Sequence, residues 1–147
     1  MSIEVIGLDH IYLAVSDLEK SERFYDTVMT ILGFRKNSFV NEGDRHVQYY
    51  NRHFGIVLRP GRAGATAHDP SIPGLHHLCF RVEGVAELKA IASSFKAAGI
   101  ECTDPELYPE YAPDYYAVFF SDPDGIRLEV TNYRQERRKR HDDWDHA

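Results

Sequence analysis

The chain carries an internal repeat, and that repeat restricts its fold more than any other feature. Residues 8–15 read Leu-Asp-His-Ile-Tyr-Leu-Ala-Val, and residues 75–82 read Leu-His-His-Leu-Cys-Phe-Arg-Val, an offset of 67 from His10 to His77. An amphipathic helix is expected after each strand. The first starts near the capping pattern Ser16-x-x-Glu19, gathers Leu18, Tyr25, Val28, Met29 and Leu32 on one face, and ends at Gly33. The second gathers Val85, Leu88, Ala92, Phe95 and Ala98 and is followed by Gly99. New strands are expected at Phe34-Arg35-Lys36 and Ile100-Glu101-Cys102. The far ends also match: Gly55-Ile56-Val57-Leu58-Arg59 aligns with Gly125-Ile126-Arg127-Leu128-Glu129, each after an aromatic-rich strand. Asp122-Pro123-Asp124-Gly125 is a strong turn signal. Each half therefore reads strand, helix, strand, strand, strand. Residues 61–74 form the linker, and 105–114 a second loop.

The 147 residues suit one domain, read as residues 1–133 with modules 5–60 and 74–133. The tail, 134–147, holds five of the 17 basic residues and one large apolar side chain, Trp144. It reads as a frayed helix or arm that either docks Trp144 on a partner or stays exposed. The net charge of −6 disfavours nucleic acid as a partner. No apolar run reaches the length of a membrane helix, and the start lacks the pattern of a signal peptide. Cys79 and Cys102 are isolated, which suits two buried free thiols in a reducing cytoplasm.

Strand side chains alternate faces. Ile11, Leu13 and Val15 share the face suited to the helix, as do Leu78, Phe80 and Val82, and Ile126, Leu128 and Val130. His10, His77 and Glu129 lie on the opposite faces of their strands. Two imidazoles and a carboxylate suit iron(II), manganese, zinc or nickel, and three protein ligands leave positions open for water or substrate. Hydrogen-bonded histidines without a metal give the same pattern.

With these residues in view, the sequence resembles the vicinal oxygen chelate superfamily, which includes glyoxalase I, extradiol dioxygenases, fosfomycin-resistance transferases and bleomycin-binding proteins. The resemblance covers about residues 5–133. It rests on Leu8-Asp9-His10-Ile11, Val15-x-Asp17, Phe24-Tyr25, Leu32-Gly33-Phe34, Gly74-Leu75-His76-His77, Ala98-Gly99-Ile100 and Asp122-Pro123-Asp124-Gly125-x-x-x-Glu129. It implies an α+β fold of two βαβββ modules pairing into a curved, half-open barrel cup with helices outside. It also implies metal-ligand roles for His10, His77 and Glu129. One paired module buries little around an open sheet, so a homodimer is expected, its cups formed within one chain or, as in members of this superfamily, across two.

Departures from the family narrow the reading. Glyoxalase I-like members carry a fourth ligand on the last strand of the first half, where Arg59 stands here, and arginine cannot ligate a metal. The expected protein is thus a cytoplasmic, metal-dependent enzyme acting on a small chelating molecule, with dioxygenase or transferase chemistry ranked above glyoxalase-like lyase or isomerase chemistry. A non-catalytic binding protein of the bleomycin-resistance type is the rival. Tyr115 and Tyr116 are the candidate catalytic tyrosines, and His46 or His53 the candidate acid–base histidine. Arg59, Tyr12 and Arg127 are the candidate substrate-binding residues. Arg59 either binds an anionic group or turns to solvent before Pro60, and Tyr12 either lines the pocket or packs. Tyr108, Tyr111, Tyr115 and Tyr116 cluster around a loop that covers the cup or meets another subunit. His76 is expected to point away from His77, and Cys79 to be a small filler.

Overall fold

The computed structural model describes residues 1–146 and divides into two compact units. The first comprises residues 1–68 with 122–125, and the second residues 69–121 with 126 onward. In the first, β1 (His10–Val15), α1 (Leu18–Ile31), β2 (Arg35–Asn41), β3 (Asp44–Tyr50) and β4 (Gly55–Pro60) form one module. Its sheet runs β1-β4-β3-β2, with β1 and β4 parallel and the other pairs antiparallel. In the second, β5 (His77–Val82), α2 (Val85–Ala97), β6 (Glu106–Leu107), β7 (Tyr116–Ser121) and β8 (Arg127–Asn132) repeat that plan in the order β5-β8-β7-β6. The α+β class and both βαβββ modules are as expected. Among the described residues no helix is long and apolar enough to cross a membrane.

Both helices bury the faces that the spacing selected. Tyr25, Val28 and Met29 of α1 are fully buried with Leu13, Val15, Ile56 and Leu58 in the first core. Leu88, Ile91, Ala92 and Phe95 of α2 are buried with Phe80, Leu128 and Val130 in the second, where Phe95 meets Phe120 at 4.8 Å. Ile91 was not on the expected stripe, and Ala98, which was, is exposed. The helix ends are near copies. Gly33 and Gly99 adopt φ of 84° and 79°, and the next residue's N–H returns to Met29 and Phe95 at 2.8 Å in each case. That left-handed position is cheap only for glycine.

Two local expectations are corrected. The N-cap of α1 is Asp17, whose carboxylate accepts from the Lys20 N–H at 3.1 Å. Ser16 instead donates both its N–H (3.0 Å) and its hydroxyl to Asp124. Asp124 and Asp122 belong to the first unit, and Asp122 accepts the Tyr25 hydroxyl at 2.9 Å. Burial holds the Tyr25 hydroxyl well above its usual pKa, so it remains a donor. Ile100–Cys102 is not a strand; the short β6 lies at Glu106–Leu107, inside the stretch read as loop. Thr103, just beyond Cys102, accepts the Phe119 N–H on its hydroxyl at 2.9 Å and donates its own N–H to the Phe119 carbonyl at 3.0 Å.

The tail forms α3 (Gln135–Asp142) and a 3-10 turn at Trp144–His146, while Ala147 lies outside the described residues. The helix buries no side chain, but Arg138 donates to the Glu83 carbonyl (2.8 Å) and carboxylate (2.6 Å) and lies over the Tyr133 ring. Trp144 is 63% exposed.

A charge cluster ties α1 to the sheet of the first unit. Glu22 accepts two bonds from Arg45 at 2.7 and 2.9 Å and pairs with Lys36 at 2.7 Å. The Arg45 hydrogen bonds, reinforced by Lys36, lower its pKa from 4.5 to about 2. Because the folded-state pKa is depressed, this stabilisation is complete above the unfolded value and is lost as pH falls from about 4.5 toward 2. The pairs are partly exposed, so Glu22→Gln is expected to cost about 1 kcal/mol at pH 7. Thermal melts should show that difference shrinking below pH 4.5; a gap independent of pH would contradict the ion-pair assignment.

Candidate metal and substrate site

In the second unit, the face of the sheet opposite α2 is set by register. Cys79, Glu129 and Phe119 form one row across β5, β8 and β7. His77, Arg127 and Ser121 form the adjacent row. The helix-facing residues Leu128 and Val130 are buried, and they pull β8 deep enough that Glu129 between them is only 4% exposed. A carboxylate so buried needs partners. Its Oε2 accepts the Tyr115 hydroxyl and, at 3.2 Å, the Cys79 thiol. Its Oε1 faces His77 Nε2 at 3.6 Å.

The two donors are held protonated. Burial, then hydrogen bonding to Glu129, raises the Tyr115 hydroxyl above its usual pKa. Burial and the Glu129 charge likewise raise the Cys79 thiol. Tyr115 therefore positions the carboxylate as a neutral donor. Its ring is fixed from one side by the Arg134 guanidinium, 4.3 Å from the ring centroid, and Arg134 is itself 5% exposed. Neither Cys79 nor Cys102 is in a disulfide, as expected, yet neither is a buried filler: Cys102 is half-buried, and Cys79 is exposed as a residue while its thiol is turned in against Glu129.

His76 overturns its expected orientation. Its Nδ1 lies 2.9 Å from Nδ1 of His77, so one ring donates and the other accepts. With the proton on His77, His77 Nδ1–H donates to His76, and His77 Nε2 keeps its lone pair toward Glu129 Oε1. That is the tautomer a ligating imidazole needs, and the second hydrogen bond is the usual means of fixing it. The donor set of His77 Nε2 and Glu129 Oε1 thus fits a divalent cation. Among the described residues no group of three or more His, Cys, Asp and Glu side chains is gathered as a metal site.

A cavity of about 660 Å³ opens beside these groups, lined by residues that include His76, His77, Tyr111, Tyr115, Phe119 and Arg127. Tyr111 stacks on Tyr108 at 5.8 Å and meets Tyr115 edge-on at 5.2 Å. The tyrosine loop therefore builds a cavity wall within its own unit.

The remaining candidates are distributed as follows. In the first unit His10 is half-exposed, with Nδ1 2.6 Å from Asp9 Oδ2, and Tyr12 packs against it at 5.3 Å. His46 is 1% exposed, donates from Nδ1 to the Asp44 carbonyl at 3.0 Å, and stacks on Phe39. His53 is exposed in a turn closed by Asn51. Arg59 lies 3.7 Å from Asp44 and bonds to the Pro60 carbonyl at 3.5 Å. Tyr116 alternates to the helix-side face with Val118 and Phe120 and is held through its backbone, whose N–H donates to Asn132 and whose carbonyl accepts the Thr131 hydroxyl at 2.8 Å. Cys79, His76 and Arg134 were missed as supports of the site. Alternation alone would have placed Cys79 opposite Glu129, but nothing in the sequence signals the Nδ1–Nδ1 contact.

Register also corrects the position matched to Glu129 in the first half. Glu129 pairs with Cys79, two residues after His77, whereas the partner of Tyr12, two residues after His10, is Val57. Arg59 instead pairs with Ala14. Val57 cannot ligate, so the lack of a fourth carboxylate at that position stands with a different residue there.

The Glyoxalase/Bleomycin resistance protein/Dioxygenase superfamily model matches residues 7–130. The chain belongs to that superfamily. An uncharacterised protein of Bacillus subtilis (strain 168), YqjT, is 28% identical over 132 residues, covering 84% of this chain and 96% of its own. A glyoxylase/bleomycin resistance protein/dioxygenase domain from Frankia sp. EAN1pec aligns at a TM-score of 0.74 and 26% identity, over 89% of this chain and all of that one. The fosfomycin resistance protein FosX of Listeria monocytogenes, in complex with Mn(II) and sulfate, shares the fold at a TM-score of 0.62 and 19% identity, covering 92% and 98% of the two chains.

Tyr115→Phe removes one of the two donors to a buried carboxylate. It is expected to cost about 2 kcal/mol, since hydrogen bonds to charged groups contribute roughly 1.5–3 kcal/mol. Tyr116→Phe should change stability by less than about 0.5 kcal/mol. Denaturant titration of both variants checks the contrast, and equal losses would contradict it.

Proposed function

We propose that this protein is a metal-dependent enzyme acting on a small molecule that chelates the ion. The observation that carries the reading is the split use of Glu129: one oxygen takes both donors, and the other is left facing the Nε2 of a histidine whose Nδ1 is tied to a second histidine. Tyr115 and Cys79 hold the carboxylate in place, and His76 sets the tautomer of His77. His77 and Glu129 would hold iron(II), manganese, zinc or nickel, leaving further positions open for other ligands, water or substrate. A divalent ion there supplies Lewis acidity to the oxygens of a bound substrate. The aromatic wall excludes water from the substrate, and the Tyr115 hydroxyl, held protonated, is a donor at the edge of the reacting region. Val57, in place of a carboxylate in the first module, favours dioxygenase or transferase chemistry over glyoxalase-like proton shuttling between two carboxylates.

A binding protein without catalysis is the second reading, and the ring-lined cavity is the observation that favours it. Elemental analysis after oxygen-free purification decides between them. The enzyme reading expects near-stoichiometric metal that Glu129→Ala abolishes, and His76→Ala weakens metal affinity roughly 10–100-fold, the usual range for a residue that orients a ligand. A protein that takes up no metal under any loading condition is a binder.

A further inference from the structure

Arg127 belongs to the sheet through its backbone, but its side chain takes no part in holding the fold. It is exposed, it lines the cavity, and among the described residues its side chain has no hydrogen bond and no ion pair. Elsewhere Arg45, Arg134 and Arg138 are each paired with a glutamate. The row containing Arg127 holds His77 and Ser121 and no carboxylate, and His76 adjoins it. In that row the planar Arg127 guanidinium and the Ser121 hydroxyl suit an anion bound in bidentate fashion, while the His77 ring turns its Nε2 toward Glu129.

The other wall is aromatic and braced from behind. Tyr115 is backed by Arg134, while Tyr111 and Phe119 both rest on Tyr108, at 5.8 and 5.4 Å. Tyr111 nevertheless remains 63% exposed, so a large ring stands uncovered over the opening. Rings held this way offer a flat ligand a surface that needs no reordering. Arg127 and Glu129 are two positions apart on one strand, roughly 6–7 Å. That distance spans one six-membered ring with a substituent at each end.

We propose that the cavity of the second unit recognises a small aryl carboxylate, its ring against Tyr111, Tyr115 and Phe119 and its carboxylate on Arg127. The orientation rests on the reading above, because the opposite end of the ring then presents its oxygen substituent to Glu129 and His77. The selection for an aromatic anion rests on Arg127 and the rings alone.

The test is calorimetric titration of the full chain, as purified and after chelation of metal, with three probes. These are 4-hydroxybenzoate, its neutral isostere 4-hydroxybenzamide, and the non-aromatic cyclohexanecarboxylate. Wild type is expected to bind 4-hydroxybenzoate at least about tenfold more tightly than either of the others. Arg127→Gln should bring the acid down to the affinity of the amide while leaving the amide unchanged, and Arg127→Lys should restore part of the preference. Tyr111→Ala should weaken acid and amide alike. Equal affinity for acid and amide, a preference that survives Arg127→Gln, equal binding of the cyclohexane acid, or no binding of any probe would each overturn the proposal. A preference that persists after chelation, in a protein whose metal content is untouched by Glu129→Ala, would overturn the metal reading and leave this one standing. Metal lost in Glu129→Ala without any anion preference would do the reverse.

Discussion

Everything at the site depends on one buried negative charge. Glu129 sits between two core residues of β8, so its carboxylate is carried into the protein by the packing of Leu128 and Val130. An isolated carboxylate there would be expensive, and each neighbour is arranged to offset that cost. Tyr115 and Cys79 donate to one oxygen, and Arg134 covers the Tyr115 ring from behind. Both donors stay protonated because the same burial and the same charge raise their pKa values. The core, the tyrosine loop and the start of the C-terminal segment thereby converge on one side chain.

The sequence made the architecture legible because its two periodicities agree. Strand alternation assigned Leu13, Val15, Phe80, Leu128 and Val130 to the core, and helical spacing assigned Tyr25, Val28, Leu88 and Phe95 to the faces that meet them. The misreadings fall where local rules compete with longer-range partners. Ser16 has the sequence of a helix cap, but Asp124 takes its hydrogen bonds and leaves the cap to Asp17. Glu106–Leu107 forms a strand because Ala117 and Tyr116 of β7 supply the pairing, not because its own residues demand it.

At the site, the metal-binding residue types were visible, but their supporting bonds were not. Alternation put His77 and Glu129 on one face, whereas the His76 contact depends on two rings turning toward one another at adjacent positions, against simple alternation. Matching Glu129 to Arg59 by counting from the preceding glycine failed because β4 and β8 pair with β1 and β5 in registers that differ by two residues. A sequence offset follows the turn, but a side chain's neighbours follow the ladder.

The capture of Asp122 and Asp124 has a consequence for how such a duplicated chain can be divided. The first compact unit is discontinuous: four residues from the second repeat complete it, accepting hydrogen bonds from Ser16 and Tyr25. A polypeptide cut in the 61–74 linker would therefore yield two halves that are not equivalent to two modules, since the first would leave Tyr25 buried without its acceptor. The sequence repeats along the chain, but the compact unit does not coincide with the repeat.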